Sequence, residues 1–323
     1  MRPRVVLSIV VPCYDEAEGI ETFHARLAAV MHGLRLPWEV IYVNDGSRDL
    51  TLRCLERLHD RDPRIALVNL SRNFGKEIAL TAGLDRADAE AVVVIDADLQ
   101  DPPELIPDLV SAWRDGFDMV YAQRRSRAGD NWIKRGTAGL FYRLMQRLGG
   151  GVQLPRDTGD FRLISRRAVA ALLGMREQHR FMKGLFAWVG FPSCGVPYDR
   201  ATRFRGRTSW NYWKLWNFAV EGITGYTVVP LKVATYLGLL VAVGTLIYGG
   251  FLTVRTLLFG NPVPGYPSLM VAVLFLGGAQ LITLGVIGEY LGQVFNESKR
   301  RPLYWVESFR ESRQSISSSS GLQ

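Results

Sequence analysis

The chain contains few of the residues that build disulfide-bonded or zinc-binding domains. Its 323 residues include three cysteines and four histidines. Cys13, Cys54 and Cys194 lie far apart and show none of the spacings of disulfide frameworks or structural zinc sites. The composition therefore argues against a disulfide-rich secreted domain and against a cysteine-bound metal.

Charge is missing from two long stretches near the carboxyl terminus. Residues 233–254 and 256–288 contain no Asp, Glu, Lys or Arg. Each stretch is long enough to cross the ~30 Å core of a bilayer. A pair of buried core helices is the alternative. The Gly-, Leu- and Val-rich composition on both sides of the turn at 260–267 favours a membrane hairpin, with helices at about 231–256 and 267–291.

Basic residues flank the outer ends of this hairpin, whereas the connecting loop has only Arg255 at its edge. The flanking residues are Arg200, Arg203, Arg205, Arg207, Lys214, Lys232, Lys299, Arg300 and Arg301. The positive-inside rule predicts that both outer ends are cytoplasmic. Because the first residues lack a signal-peptide pattern, we expect a multi-pass membrane protein whose large amino-terminal domain stays in the cytosol.

The formal net charge is +8, a value that nucleic-acid-binding proteins also show. The sequence contains no helix-turn-helix, RNP-type or zinc-finger pattern to accompany that charge. We therefore expect no nucleic-acid partner and assign the basic residues to the attraction of anionic membrane lipids.

Strand and helix patterns alternate through the first 125 residues. We predict strands at 5–11, 40–43, 65–70, 91–95 and 119–122, and helices at 16–34, 50–61, 77–87 and 103–115. Repeated β-α-β units predict an α/β domain with a doubly wound, mainly parallel sheet.

The alternation ends after residue 125. We predict helices at 132–147 and 166–173, strands at 156–165 and 188–198, and an aromatic-rich interfacial helix at 210–218. The predicted organisation is an α/β domain at 1–208, an interfacial region at 209–230, the hairpin at 231–294 and a cytosolic tail at 295–323.

Acidic residues follow three of the predicted strands. Asp96 and Asp98 form a DxD pair after 91–95, Asp45 follows 40–43, and Glu16 follows the first strand. The carboxyl ends of parallel strands share one edge of a sheet, where ligand crevices form. Paired carboxylates there suit a divalent cation with oxygen ligands, although acidic pairs after strands are also common turn formers.

Five motifs resemble those of glycosyltransferase family 2, and they occur in the family's order. They are PCYDE at 12–16, NDGS at 44–47, SRNFGK at 71–76, DADLQDPPE at 96–104 and TGDFRL at 158–163. With the hairpin, the chain most resembles the polyisoprenyl-phosphate glycosyltransferases, in particular the GtrB-type bactoprenol glucosyltransferases of the bacterial inner membrane, and more distantly dolichol-phosphate mannose synthase. Asn44 and Asp15 depart from the usual Asp and Asn.

The resemblance implies a GT-A fold and inverting transfer of one hexose from a nucleotide sugar to undecaprenyl or another polyprenyl phosphate. It implies Mg²⁺ or Mn²⁺ held by Asp96, Asp98 and Gln100, although a solvated Gln100 amide is equally open. The donor-binding residues it implies are Pro12, Tyr14, Glu16, Asp45, Lys76, Asp96, Ala97 and Arg124. Turn capping is the alternative for Asp45, and stabilisation of a helix start is the alternative for Glu16.

The acceptor should need orientation more than a strong base, because a prenyl phosphate has a second pKa of ~6. Beside Asp98, either Asp157 or Asp160 is the expected catalytic carboxylate, and spacing does not separate them. Arg203, Arg205 and Ser209 are expected to bind phosphate, with simple attraction to anionic lipid as the alternative.

Three matters stay open at this point. UDP-glucose is the first choice of donor, with GDP-mannose, UDP-galactose and UDP-N-acetylhexosamine behind it. A processive polysaccharide synthase and a non-catalytic nucleotide-sugar-binding membrane protein are the competing functions. Homo-oligomerisation is expected because Gly277, Gly278, Gly285 and Gly288 allow close helix approach.

Overall fold

The computed structural model describes residues 5–125, 158–178, 180–199, 229–260 and 265–313. Its strands are β1 (Leu7–Cys13), β2 (Trp38–Asn44), β3 (Ile65–Leu70), β4 (Ala91–Val94), β5 (Met119–Arg124), β6 (Thr158–Ser165), β7 (Ser193–Tyr198) and β8 (Val306–Arg310). Its α-helices are α1 (Ile20–Leu34), α2 (Thr51–Arg61), α3 (Lys76–Leu84), α4 (Ile106–Arg114), α5 (Arg166–Gly174), α6 (Met182–Trp188), α7 (Val229–Phe259) and α8 (Tyr266–Ser298).

The strands of the described residues form one sheet in the order β7-β5-β6-β4-β1-β2-β3-β8. β1 pairs in parallel with β2 and β4, β2 with β3, and β5 with β7. β6 runs antiparallel between β4 and β5, and β8 runs antiparallel beside β3. The predicted α/β fold with a doubly wound, mainly parallel sheet is confirmed.

Strands β1 to β4 are buried along their whole length because helices cover both faces of the sheet. Ile9 and Val11 belong to one apolar cluster, and Val10 between them belongs to the other. Helix α3 comes unusually close to β1. A Cβ atom at Gly83 would lie 2.3 Å from Val10 Cγ1, so the closeness of this contact requires glycine.

The predicted element boundaries shift in two places. Helix α1 begins at Ile20 rather than at 16, because residues 14–19 form turns. Helix α6 was not predicted, and the strand expected at 188–198 begins only at Ser193, after Gly190 adopts a φ of +71°. Seven residues are too few to show a helical period. The helices expected at 132–147 and 210–218 lie outside the described residues.

The carboxyl-terminal strand β8 also differs from expectation. The sequence assigns residues 295–323 only to a cytosolic tail, because the segment at 306–310 mixes apolar, charged and polar residues and shows no clear strand pattern. The structure pairs residues 306–310 with β3, so the segment after α8 completes the sheet. The sheet needs a strand here because the backbone groups of β3 would otherwise be unpaired.

The described residues divide into two compact units, one containing the sheet and the other containing α7 and α8. The second unit carries exposed apolar side chains such as Leu257 and Phe259. Within the described residues, Phe275–Ser298 is the segment long and apolar enough to cross a membrane. The predicted spans 231–256 and 267–291 fall inside helices, while the number of crossings and the domain limits stay predictions.

Candidate active site at the carboxyl edge of the sheet

Four parallel strands deliver the candidate residues to one edge of the sheet. β1 ends at Cys13, β2 at Asn44, β3 at Leu70 and β4 at Val94, and the next residues of each form a loop at that edge. This is the position where open α/β sheets bind ligands. The loop at 71–75 joins β3 to α3 and contacts the loop that follows β2, and Lys76 at the start of α3 contacts the loop that follows β4.

Asp45 holds the 71–75 loop in place. Its Oδ1 accepts a hydrogen bond from Phe74 N at 2.7 Å, and its Oδ2 accepts one from Gly75 N at 2.9 Å. Burial raises the pKa of Asp45, while these two amide groups and Arg72 act in the opposite direction. Both carboxylate oxygens are thus engaged with the backbone, a positioning role that the sequence did not indicate.

Gly46 makes the next contact between the two loops. Its φ is +63°, and a Cβ atom there would lie 2.4 Å from the carbonyl carbon of Arg72. Only glycine permits both the left-handed backbone and this close approach. The 45–46 turn therefore packs directly against the 71–75 loop.

The loop after β1 is held by the loop after β2. Asp15 N donates to Ser47 Oγ at 3.1 Å, and Arg48 N donates to Asp15 Oδ1 at 2.8 Å. Glu16 N donates to Thr51 Oγ1 at 2.8 Å. Pro12 is buried within β1, whereas the ring of Tyr14 is exposed and accessible to a ligand.

The DxD pair lies in a tight turn just past β4. Asp98 Oδ1 accepts a hydrogen bond from the Gln100 backbone N at 3.1 Å, and Leu99 has a φ of 59°. Ala97 is buried between the two aspartates, so the turn presents both carboxylates at the same edge. The arrangement uses Asp98 both for its turn and for the candidate metal site.

Lys76 joins the DxD turn to β6. Its Nζ lies 2.7 Å from Asp96 Oδ2 and 2.5 Å from Asp160 Oδ2. Burial disfavours the charged form of Lys76, but the two carboxylates outweigh this effect and raise the pKa of Lys76. For Asp160 burial again opposes ionisation, but Lys76 and Lys183 lower its pKa to about 2. Burial raises the pKa of Asp96, with Lys76 opposing that shift.

Asp160 retains one carboxylate oxygen for a ligand. Its Oδ1 is buried and has no hydrogen-bond partner among the described residues. Buried carboxylate oxygens normally have partners, so this atom is suited to a substrate hydroxyl or a cation. Arg162 holds the adjoining backbone, because its Nη2 donates to Gly159 O at 2.8 Å and its Nε to Asp160 O at 3.3 Å.

Several residues of this cluster were missed by sequence reasoning. Arg162 is buried with its guanidinium 3.7 Å from the centre of the Phe186 ring, and burial lowers its pKa to about 10. Glu77 accepts a hydrogen bond from Met182 N, and burial together with Asp160 raises its pKa to about 7. Burial lowers the pKa of Lys183. Two signals were available in the sequence: the adjacent charges of Lys76 and Glu77, and the place of Arg162 in the motif at 158–163.

Arg124 ends β5 near the start of β6. Its Nε donates to Tyr198 Oη at 3.4 Å, and Tyr198 in turn donates to Asp101 of the DxD loop. A Cβ atom at Gly159 would lie 3.5 Å from Arg124 Nη2. The structure thus brings Lys76, Asp96 and Asp160 together by direct contacts and places Arg124 beside β6. Asp45 is connected to Lys76 through the 71–75 loop, which it binds at Phe74 and Gly75.

Four predicted site residues lie outside the described residues, namely Asp157, Arg203, Arg205 and Ser209. Their roles stay predictions. Asp160, the other candidate for the acceptor carboxylate, is the one whose surroundings are described.

The carboxylates fit a divalent cation that shares its ligands with a substrate. Among the described residues, no group of three or more His, Cys, Asp or Glu side chains is arranged to hold a metal. Mg²⁺ is usually bound by one or two carboxylates together with phosphate oxygens. Asp96 and Asp98 supply that number, and the unpaired Asp160 oxygen adds negative charge close by.

Comparison with known proteins gives a consistent result along the chain. Residues 8–173 match glycosyl transferase family 2, and residues 229–294 match the family described as the GtrB C-terminal hairpin. An uncharacterized glycosyltransferase of Synechocystis sp. is 55% identical over 94% of this chain and 95% of its own. The bactoprenol glucosyl transferase of Shigella phage SfV is 45% identical over 94% of this chain and 99% of its own.

The fold, the carboxylate edge and these matches define a sugar-transferring enzyme. The chain belongs to glycosyl transferase family 2. It is a glycosyltransferase with the GT-A arrangement of that family and a carboxyl-terminal hairpin, as the motifs predicted.

Proposed function

We propose that this enzyme transfers one glucose from UDP-glucose to a polyprenyl phosphate, with inversion at the anomeric carbon. The observation that carries the proposal is the 45% identity to a bactoprenol glucosyl transferase over nearly the whole length of both chains. The shared length includes the hairpin region. A hairpin of this kind suits a catalytic domain whose acceptor is a membrane lipid rather than a soluble molecule.

Asp96 and Asp98 would hold Mg²⁺ or Mn²⁺, with Gln100 as a third ligand. The bound ion would neutralise the donor diphosphate and make it a better leaving group. Lys76 already supplies one positive charge between Asp96 and Asp160. The donor would also contact Pro12, Tyr14, Glu16, Asp45, Ala97 and Arg124 around the same edge of the sheet.

We assign Asp160 to the acceptor side, and its burial beside Lys76 supports this proposal. A prenyl phosphate with a second pKa of ~6 is mostly a dianion near neutral pH, so it needs orientation rather than deprotonation. Asp160 is ionised at that pH because its pKa is about 2. An ionised carboxylate next to the sugar stabilises the positive charge of an oxocarbenium-like transition state. Asp157 remains the alternative.

The acceptor phosphate would bind Arg203, Arg205 and Ser209. Arginine offers forked donors that match phosphate oxygens, and Gly206 lets the backbone approach closely. The lipid tail would stay in the bilayer throughout. The enzyme would thus be a multi-pass protein of the bacterial inner membrane with a cytosolic catalytic domain, and close helix packing at its glycines would support a homo-oligomer.

Nucleotide release by the enzyme purified in detergent tests the reaction. The purified enzyme is offered UDP-glucose, UDP-galactose, UDP-N-acetylhexosamine and GDP-mannose, each with and without undecaprenyl phosphate and with Mg²⁺, Mn²⁺ or EDTA. We expect lipid-dependent release of UDP from UDP-glucose that EDTA abolishes. Preference for another donor would change the sugar and leave the reaction class standing. Equal nucleotide release with and without undecaprenyl phosphate would contradict the proposed acceptor.

Cysteine accessibility tests the topology. The predicted topology puts the connecting turn at 260–267 in the periplasm. In a variant lacking the three native cysteines, Ser268→Cys, just after this turn at the start of α8, should react with a membrane-impermeant thiol reagent in intact cells. Glu311→Cys, at an exposed position of the sheet unit, should react only after lysis. Reaction of Glu311→Cys in intact cells would contradict the cytosolic location of the catalytic domain.

A further inference from the structure

The segment that follows α8 makes specific contacts with the start of the 71–75 loop. β8 pairs antiparallel with β3, and Trp305 O accepts a hydrogen bond from Ser71 N at 3.0 Å. Tyr304 Oη donates to Asp85 Oδ2 at 2.6 Å, which ties the same segment to the end of α3. The segment 304–310 therefore holds both ends of the β3-loop-α3 unit from which Lys76 projects.

Glu307 lies at a bulge of β8, and its side chain is exposed. The register changes between Asn69, which is opposite Ser308, and Leu70, which is opposite Val306, so Glu307 is the extra residue of β8. Bulges change the direction of a side chain relative to the regular pleat. Asn69 Nδ2 donates to Glu307 Oε2 at 2.9 Å.

The contact continues from Glu307 to the candidate active site. Asn44 Nδ2 donates to Asn69 Oδ1 at 2.8 Å, and both asparagines are buried. The three side chains form a relay with one direction, because each amide group donates toward the Glu307 carboxylate. Asn44 is the last residue of β2, and Asp45 directly after it holds Phe74 N and Gly75 N.

We propose that Glu307 is a positioning residue, which orders the donor-binding edge through the Glu307–Asn69–Asn44 relay. Strand β8 thereby helps to hold Asp45, the 71–75 loop and Lys76 in position to bind the donor diphosphate. This inference rests on the proposed function in that it takes the same edge as the donor site.

The direction of the relay provides a test that simple packing would not pass. In Asn69→Asp, the introduced carboxylate still accepts from Asn44 but faces the carboxylate of Glu307, and like charges placed opposite each other repel. In Glu307→Gln, an amide oxygen remains to accept from Asn69. In the double variant the amide and the carboxylate have exchanged places, so every hydrogen bond of the relay can form again.

The experiment compares these three variants with the wild-type enzyme in detergent. We expect Asn69→Asp to raise the KM for UDP-glucose about tenfold, equivalent to ~1.4 kcal/mol, with a smaller change in kcat. Glu307→Gln should stay within about twofold, and the double variant should recover most of the loss. Hydrogen exchange of the 71–75 amides, measured without any substrate, should rise in Asn69→Asp and return toward wild type in the double variant.

Arg310→Gln is the matched control on the same strand. It removes the exposed contact to Glu56 and leaves the relay intact, so KM and loop exchange should not change. If Asn69→Asp does not fold, Glu307→Leu at its exposed site removes the acceptor and should raise both KM and loop exchange.

Two results would overturn the inference: a double variant no better than Asn69→Asp, or variants that lower Tm while KM and loop exchange stay at wild-type values. Hydrogen exchange of the 71–75 amides can be measured without a sugar donor. If the wild-type enzyme transferred no sugar to lipid, the proposed function would fail, and this exchange measurement would still test the relay.

Discussion

The two compact units of this enzyme treat their leucines in opposite ways. In the sheet unit, Leu27, Leu55 and Leu80 are buried between helices and strands, and charged groups collect at the strand ends. In α8, by contrast, Leu281 and Leu284 are exposed, and residues 256–288 contain no charge. Water drives the burial of apolar surface in the first unit.

The exposed leucines of the second unit suit an apolar solvent such as lipid. A helix satisfies its backbone hydrogen bonds internally, so it can present apolar side chains to lipid without loss. The same exposure in water would make a large apolar patch that favours aggregation. The comparison teaches that the two units suit different solvents. The sheet unit suits water, with its carboxylates and a lysine paired at the site, whereas the unit of α7 and α8 suits the apolar surroundings of a lipid acceptor.

Removal of a DxD carboxylate should have the largest effect on the aqueous side. We expect Asp98→Ala to lower transfer about 10³-fold or more, because a metal ligand contributes several kcal/mol to leaving-group stabilisation. Lipid-dependent nucleotide release measures it, with size-exclusion chromatography to check folding. Asp88→Ala is the control, since it removes only a surface ion pair with Arg166. Full activity of Asp98→Ala would contradict the metal site.

Lys76→Met should have the next largest effect, about 10²-fold on transfer, because it leaves two carboxylates without their shared cation. Lys76 and Lys183 hold the pKa of Asp160 at about 2 against burial, so losing Lys76 raises that pKa. Lys76→Arg keeps a cation between the two carboxylates and should retain most of the activity. Lipid-dependent nucleotide release measures both variants, and wild-type transfer by Lys76→Met would contradict a role for this ion pair.

Matched leucine substitutions test whether α8 faces lipid while the sheet unit faces water. Leu284 in α8 is 63% exposed and Leu50 in the sheet unit is 59% exposed. Arginine near the centre of a membrane-spanning helix costs ~2.5–3.5 kcal/mol, so Leu284→Arg should lower the membrane-inserted fraction, while Leu50→Arg should not. Carbonate extraction of membranes measures both. Equal yields of the two variants in the membrane pellet would mean that α8 does not face lipid.

Glu77→Gln should have the smallest effect, and it depends on pH. Burial and Asp160 raise the pKa of Glu77 from its ordinary 4.5 to about 7. The folded state therefore holds this proton more tightly, and the free energy of unfolding falls as pH rises from about 4.5 to about 7. The variant should match wild type at pH near 4.5 and have a higher Tm at pH 8, by roughly 2–4 °C per kcal/mol. A constant difference across this range would contradict the assignment.

Local patterns predicted most of the parallel half of the sheet. Apolar runs bounded by polar loops located β1 to β4 and placed Asp45, Asp96 and Asp98 at one edge. They did not predict α6, because seven residues are too few to show a helical period. They did not predict β8 either, because its five residues mix apolar, charged and polar side chains and its strand forms by pairing with the distant β3. They also did not predict that both oxygens of Asp45 hold a loop, because hydrogen-bond partners distant in sequence leave no local pattern.

The sequence by itself determined the class of fold, the family and the acidic edge of the sheet, because these follow from strand periodicity and from motifs that keep a fixed spacing. Tertiary structure alone decided that Lys76 lies between Asp96 and Asp160, and that Glu307 reaches Asn69 across 238 residues of sequence. Such contacts arise when separate strands meet at one edge. The strength of each contact depends on the burial that the fold imposes, and one-dimensional order does not contain that information.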